Sequence, residues 1–161
     1  MTSLSLRPIR GADQEVLCRL YASTRQDEMA VVPWSEEEKA SFLRMQFEAQ
    51  HKYYQAVFPG AEFLMIERRG KPVGRLYLDR RDDEHRLIDI ALFPEHRGKG
   101  LGGKLMRGVL DEAGAAGKKV RIHVERNNPA MRLYIRLGFV RIEDQGVYHL
   151  MEWSPPGPPA T

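Results

Sequence analysis

Apolar and polar positions change their period several times along this chain, and each change marks an element. Leu4 to Ile9 alternates as a short first strand. Val16, Leu17, Leu20, Tyr21 and Thr24 then recur at three-and-four spacing, which predicts an amphipathic helix capped by Asp13. After Pro33, Ser35 followed by Glu38 is the reciprocal pair of a capping box and opens a second helix that ends before Pro59. Two stripes run along that helix, Phe42, Met45, Ala49, Tyr53 and Leu43, Phe47, Gln50, Tyr54. Together they carry more aromatic surface than packing on one sheet face needs.

Between Glu62 and Phe93 the period becomes two. EFLMIE, PVGRLYLD and RLIDIALF are separated by the turn-forming RRGK and RRDDE, so three strands form a meander. A helix follows with Leu101, Leu105, Val109, Leu110 and Ala113 inward, ending in the Gly114 to Gly117 region. KVRIHVE is the next strand, with Val120, Ile122 and Val124 on one face and Arg121, His123 and Glu125 on the other. The last helix has Asn128 as cap, Pro129 in its first turn, Ala130, Leu133, Tyr134 and Leu137 inward, and Gly138 past its end. FVRIE and VYHLMEW close the fold. The order predicts an α+β domain in which one strand-helix-strand unit forms a right-handed crossover.

Composition narrows the class. A chain of 161 residues, 42% hydrophobic and 29% charged, can bury one core, so residues 1–153 are expected to form a single domain. PPGPPAT is too rich in proline and glycine to pack, and residues 154–161 are expected to be a disordered tail. No apolar run reaches the ~20 residues of a membrane span and Met1 to Arg10 lacks a signal-peptide core, so a cytoplasmic protein with no membrane partner is expected. Cys18 is the only cysteine, which excludes an internal disulfide and a multi-thiol metal site. The 25 basic and 22 acidic residues are mixed along the chain, so no nucleic-acid-binding stripe forms, although a net charge of +3 suits a small polyanion.

The candidate chemistry begins at RGKGLGG, Arg97 to Gly103. Gly98, Gly100 and Gly103 satisfy the GxGxxG of a dinucleotide-binding loop, and Glu125 falls where its ribose-binding acid would stand. Such a fold needs that loop in its first strand-helix unit, whereas three hairpin-linked strands precede it here. A Walker loop has no match. Leu92 to Gly102 instead resembles the acyl-CoA-binding segment of the GCN5-related N-acetyltransferase (GNAT) superfamily, whose Gln/Arg-x-x-Gly-x-Gly/Ala appears as Arg97, Gly100 and Gly102. The superfamily's later strand, Asn, helix with Leu-Tyr, and Gly-Phe appear as Asn127, Leu133-Tyr134 and Gly138-Phe139. Element order agrees from Leu4 to Trp153, and the specific part is Leu87 to Phe139.

The resemblance implies a GNAT acyl-CoA N-acyltransferase fold, with a mostly antiparallel sheet of about seven strands flanked by four helices. It implies acetyl-CoA as cosubstrate and an amine of a small molecule or peptide as acceptor, the amine attacking the thioester directly in a ternary complex. Main-chain N–H groups of Gly98, Lys99, Gly100, Leu101, Gly102 and Gly103 would hold the pyrophosphate at a helix N-terminus, with Arg97 and Lys99 adding charge. Lys104 and Arg136 read as solvated surface. The strands from Leu87 and from Lys119 would splay, with Ile90 and Leu92 pairing the pantetheine arm and the Leu92 N–H serving as an oxyanion donor. Tyr134 matches the tyrosine that protonates the leaving sulfur, and a packing role on its apolar stripe is the alternative. Asn127 matches the residue that hydrogen-bonds the cofactor arm, or else simply flanks the Asn128 cap.

For the base, Asp89 stands first, Glu125 second and His123 third, with a salt bridge from Asp89 to Arg75 or Arg121 as the alternative for the first. No metal is expected, since HExxH is missing and His123-Val-Glu125 lacks the PCxxC of a zinc deaminase. Trp34, Phe47, Gln50 and Tyr54 are the acceptor-site candidates, a hydrophobic core or a homodimer contact being the other use for such aromatics. A CoA-binding regulatory module without catalysis is the rival function.

Overall fold

The structure, a computed structural model, describes residues 4–157. Its strands are β1 (Leu4–Pro8), β2 (Glu62–Arg68), β3 (Lys71–Arg80), β4 (Glu84–Leu92), β5 (Lys119–Glu125), β6 (Val140–Gln145) and β7 (Tyr148–Trp153). The helices are α1 (Gln14–Ser23), α2 (Gln26–Ala30), α3 (Glu36–Val57), α4 (Leu101–Ala115) and α5 (Met131–Arg136). The strands hydrogen-bond in the order β1-β2-β3-β4-β5-β7-β6, a seven-stranded sheet. β4 and β5, joined through α4, pair in parallel, while β1 with β2, β5 with β7 and β6 with β7 run antiparallel. The mixed α+β architecture is the one the hydrophobic pattern predicts, with the five-residue α2 in addition. Residues 154–157 take no regular structure, and the rest of the expected tail, 158–161, lies outside the described residues. Among the described residues no helix is long and apolar enough to cross a membrane.

The described residues of Met1–Tyr77 and Ile90–Arg97 make one compact unit, and those of Leu78–Asp89 and Gly98–Thr161 a second. In the first, α1, α2 and α3 close over a cluster of Leu17, Cys18, Tyr21, Met29, Leu43, Phe47 and Met65. Burying each large member contributes about 1.5–3 kcal/mol over leaving it exposed. The Ser35–Glu38 capping box forms as read: Ser35 Oγ accepts from the Glu38 N–H at 3.1 Å and Glu38 Oε1 from the Ser35 N–H at 3.4 Å.

Asp13 departs from its expected role. It precedes α1 without donating a cap; its carboxylate reaches back to the Arg10 N–H at 2.7 Å and takes a two-pronged contact from Arg7 at 2.8 and 2.9 Å. The chain first makes a 3-10 turn, Gly11–Asp13, so the carboxylate belongs to that turn and ties β1 to it. The Arg7 guanidinium, with the Arg10 N–H, holds the Asp13 carboxyl down to about 2, while burial opposes them.

In the second unit Val120, Ile122 and Val124 of β5 are buried, as the alternation predicts, alongside Met106, Val109, Leu110 and Ala113 of α4. The Trp153 indole packs beside Gly114 and Gly138, where a Cβ would stand 3.5 or 3.4 Å from it, an ordinary contact distance. Edge strand β6 is exposed along its length and has a register shift between Arg141 and Glu143, an irregularity that discourages further strand pairing.

Candidate active site

The turn into α4 owes its form to two left-handed residues. Gly98 and Gly100 have φ of 73° and 78°, a region that a Cβ penalises, and no other atom stands within 4 Å of where that Cβ would be. Conformation rather than crowding calls for glycine here. Gly100 is the N-cap of α4, and the first helical bond runs from the Lys104 N–H to the Gly100 carbonyl at 3.0 Å. The cap brings no side chain to the first-turn N–H groups, and the turn holds no acidic residue. α3 is the contrast, with Ser35 as cap and Glu36, Glu37 and Glu38 in its first turn. The start of α4 therefore keeps its positive dipole end and its donors for an anion, and Gly98, Lys99 and Gly100 are exposed beside it. Leu133 of α5 lies 3.8 and 3.6 Å from the Cβ positions of Gly102 and Gly103, which brings this first turn close to α5.

Tyr134 lies on that same short helix. It is 2% exposed, and its ring meets Phe139 edge-on, centroids 5.7 Å apart. The helix closes through Gly138, φ 103°, and a bond from the Phe139 N–H to the Tyr134 carbonyl at 3.0 Å, so the Gly-Phe pair fixes the tyrosine's ring and backbone together. Burial, and after it the negative charge of Asp89, drive the Tyr134 phenol well above its ordinary range. Asp89 is thus the carboxylate the phenol senses. It continues the face of His85 and Leu87 on β4.

Parallel pairing between β4 and β5 runs from Glu84↔Lys119 to Leu87↔Ile122, although β4 continues to Leu92 and β5 to Glu125. The paired register ends at Leu87 and Ile122. Since Leu87 pairs with Ile122, Asp89 falls on the Ile122 face and Glu125 on the opposite one, with His123. The structure does not bring the first two base candidates to one side of the sheet. His123 Nδ1 faces Arg86 Nη1 at 3.2 Å; desolvation, then the Arg86 charge, lower its pKa. Arg121 Nε donates to Glu152 at 2.8 Å and Arg75 Nη2 to Gln50 Oε1 at 2.8 Å. Asn127 is exposed in the turn after β5, and Asn128 Oδ1 accepts from the Ala130 N–H at 2.8 Å within that turn; the helix starts only at Met131 with Ala130 as its cap, so Asn128 is not the cap and Pro129 lies outside the helix.

In the first unit β4 ends in a tightly held bend. The Phe93 N–H donates to the Val73 carbonyl at 2.9 Å, a 3-10 turn occupies Pro94–His96, and Arg97 Nε donates to the Leu92 carbonyl at 2.9 Å. Arg97 is therefore occupied by its own backbone neighbourhood, a use its charge alone does not suggest. Ile90 and Leu92 are half-buried in this segment.

The four acceptor-site candidates do not form one wall. Phe47 is 1% exposed and belongs to the core, stacked on His51 at 5.6 Å, so of its two expected uses it takes the core one and leaves the acceptor side. Trp34, 43% exposed, meets Phe42 edge-on at 5.3 Å above an open groove of about 470 Å³ that Glu37, Glu38 and Ser41 also line. Gln50 receives Arg75, and Tyr54 meets Tyr77 edge-on at 6.0 Å. Tyr54 stands about 27 Å along α3 from the helix start beside Trp34. A side-chain stripe says which residues share a helix face, not which face the fold covers.

The model of the acetyltransferase (GNAT) family matches residues 19–139. No curated protein matches. Among solved structures, the PaiA N-acetyltransferase of Thermoplasma acidophilum, in complex with coenzyme A, is similar at 21% identity over 94% of this chain and 99% of its own, with a TM-score of 0.71. The histone acetyltransferase HPA2 and related acetyltransferase of Corynebacterium glutamicum shares 23% identity over 99% of each chain, TM-score 0.65. The ribosomal-protein-S18-alanine N-acetyltransferase of Escherichia coli shares 19% over 99% of each, TM-score 0.60.

Proposed function

The chain belongs to the GNAT family of acetyltransferases, and from that premise we propose that it transfers the acetyl group of acetyl-CoA to a primary amine of a small molecule or peptide. The observation that carries this reading is the start of α4: two glycines at positive φ, a cap without a side chain and a first turn without an acid, which together suit a diphosphate. The coenzyme A complex of the Thermoplasma PaiA protein supports the same ligand. The amine attacks the thioester carbonyl, the Leu92 N–H donates to the oxygen as it becomes negative, and the carbon–sulfur bond breaks as the sulfur gains the Tyr134 proton. Tyr134 suits that role because burial and the Asp89 charge keep its phenol protonated. Asp89 removes the proton of the attacking ammonium, with Glu125 as the other candidate. Gly98 to Gly103, with Lys99, hold the diphosphate, Ile90 and Leu92 pair the pantetheine amides, and Asn127 reaches the arm from the turn after β5. Trp34, Gln50 and Tyr54 are the remaining candidates on the acceptor side.

The test has two arms. Coenzyme A should raise the melting temperature and NAD should not; a ligand at a hundred times its Kd stabilises by about 2.7 kcal/mol. A panel of amines and N-terminal peptides with acetyl-CoA should then release free thiol. Stabilisation by NAD alone contradicts the ligand, whereas stabilisation by coenzyme A without transfer to any acceptor points to the regulatory module.

A further inference from the structure

Gly74, in the middle of β3, has a backbone any residue adopts, yet no other residue fits there. A Cβ built on it would stand 2.2 Å from the Ala91 carbonyl oxygen, 2.8 Å from a Leu92 methyl and 3.1 Å from the Leu92 Cα. Two of those three atoms are backbone, so the contact cannot be relieved by turning a side chain. Ala91 and Leu92 begin the bend in which the Phe93 N–H is held by the Val73 carbonyl and the Leu92 carbonyl by Arg97 Nε. The missing Cβ lets the bend sink onto β3, where the Phe93–Val73 bond ties it to that strand and the Arg97–Leu92 bond ties it to the chain that follows.

We propose that Gly74 is a positioning residue for acyl transfer: its bare Cα, with the Arg97–Leu92 bond, sets the direction of the Leu92 N–H as oxyanion donor. This rests on the acetyltransferase reading above. Restoring an ordinary separation from the Ala91 oxygen requires a backbone shift of about 1 Å, enough to take a donor out of line with a thioester carbonyl, a misplacement that costs on the order of a hundredfold in rate. The diphosphate site in the Gly98 to Gly103 turn lies on another segment, so binding of the carrier should survive.

The experiment uses the full chain and [1-13C]acetyl-CoA, which needs no acceptor. In the wild type the carbonyl carbon moves downfield on binding as the Leu92 N–H polarises it. In Gly74→Ala that displacement is lost while coenzyme A affinity stays within about threefold. Arg97→Lys keeps the positive charge but removes the Nε–H that holds Leu92; it should at least halve the displacement, and it decides the matter if far-ultraviolet circular dichroism shows Gly74→Ala unfolded. A folded Gly74→Ala, or failing that Arg97→Lys, with the wild-type displacement overturns the positioning role alone. Failure of the wild type to bind, or to displace the carbonyl signal, overturns the acetyltransferase reading and this inference with it.

Discussion

Replacing Tyr134 by phenylalanine separates chemistry from packing because the two depend on different parts of the residue. The ring, 2% exposed and edge-on to Phe139, stays; only the oxygen is lost. Stability should therefore change by no more than about 1 kcal/mol, the size of one hydrogen-bonding group. A positioned general acid contributes 10²–10⁴-fold, but a leaving thiol titrates near 8.5, well below a phenol, so the sulfur needs less help than an oxygen would. Turnover should fall by roughly tenfold to a thousandfold, about 1.4–4 kcal/mol of barrier. The assay is thiol release from acetyl-CoA at saturating acceptor, with coenzyme A affinity by calorimetry and the melting temperature measured beside it. Unchanged turnover would leave Tyr134 a packing residue, and a loss confined to coenzyme A affinity would make it a binding one.

Two further outcomes follow from the charges. Asp89→Asn should flatten the rise of kcat/KM with pH that deprotonation of a carboxylate base produces, and should lower the Tyr134 phenol pKa, since the Asp89 charge raises it; an unaltered profile in the pH-rate assay would pass the role of base to Glu125. Asp13→Asn should cost about 2 kcal/mol at neutral pH in urea unfolding, because the folded carboxyl titrates near 2 against 3.8 when free. A depressed carboxyl stabilises above its unfolded value and loses that contribution as pH falls from 3.8 towards 2, so wild type and variant should converge there; a gap independent of pH would exclude the Arg7 contact as its cause.

What could be read from the sequence depended on how local the physics is. The Ser35–Glu38 box and the helix start at Gly100 are set by backbone needs within a few residues, and both stand as read. Asp13 departs from a cap because Arg7 and the Arg10 N–H both claim its carboxylate, and nothing in the spacing ranks them above the helix N–H groups. α2 has five residues, too few to show a period. Phe47 lies on α3 and Trp34 just before it, and that Phe47 is the covered one depends on α1 and α2 packing over its part of the helix. Gly74 was illegible for the strongest reason: its need for glycine lies in a carbonyl seventeen residues away.

Amide chemical shifts of the nitrogen-15-labelled protein, recorded while coenzyme A is added, test the central claim most directly. The account predicts saturable shifts at Gly98 to Gly103, largest at the N–H groups opening α4, and no such response to NAD. Shifts that spare those amides while coenzyme A binds elsewhere on the chain would contradict it.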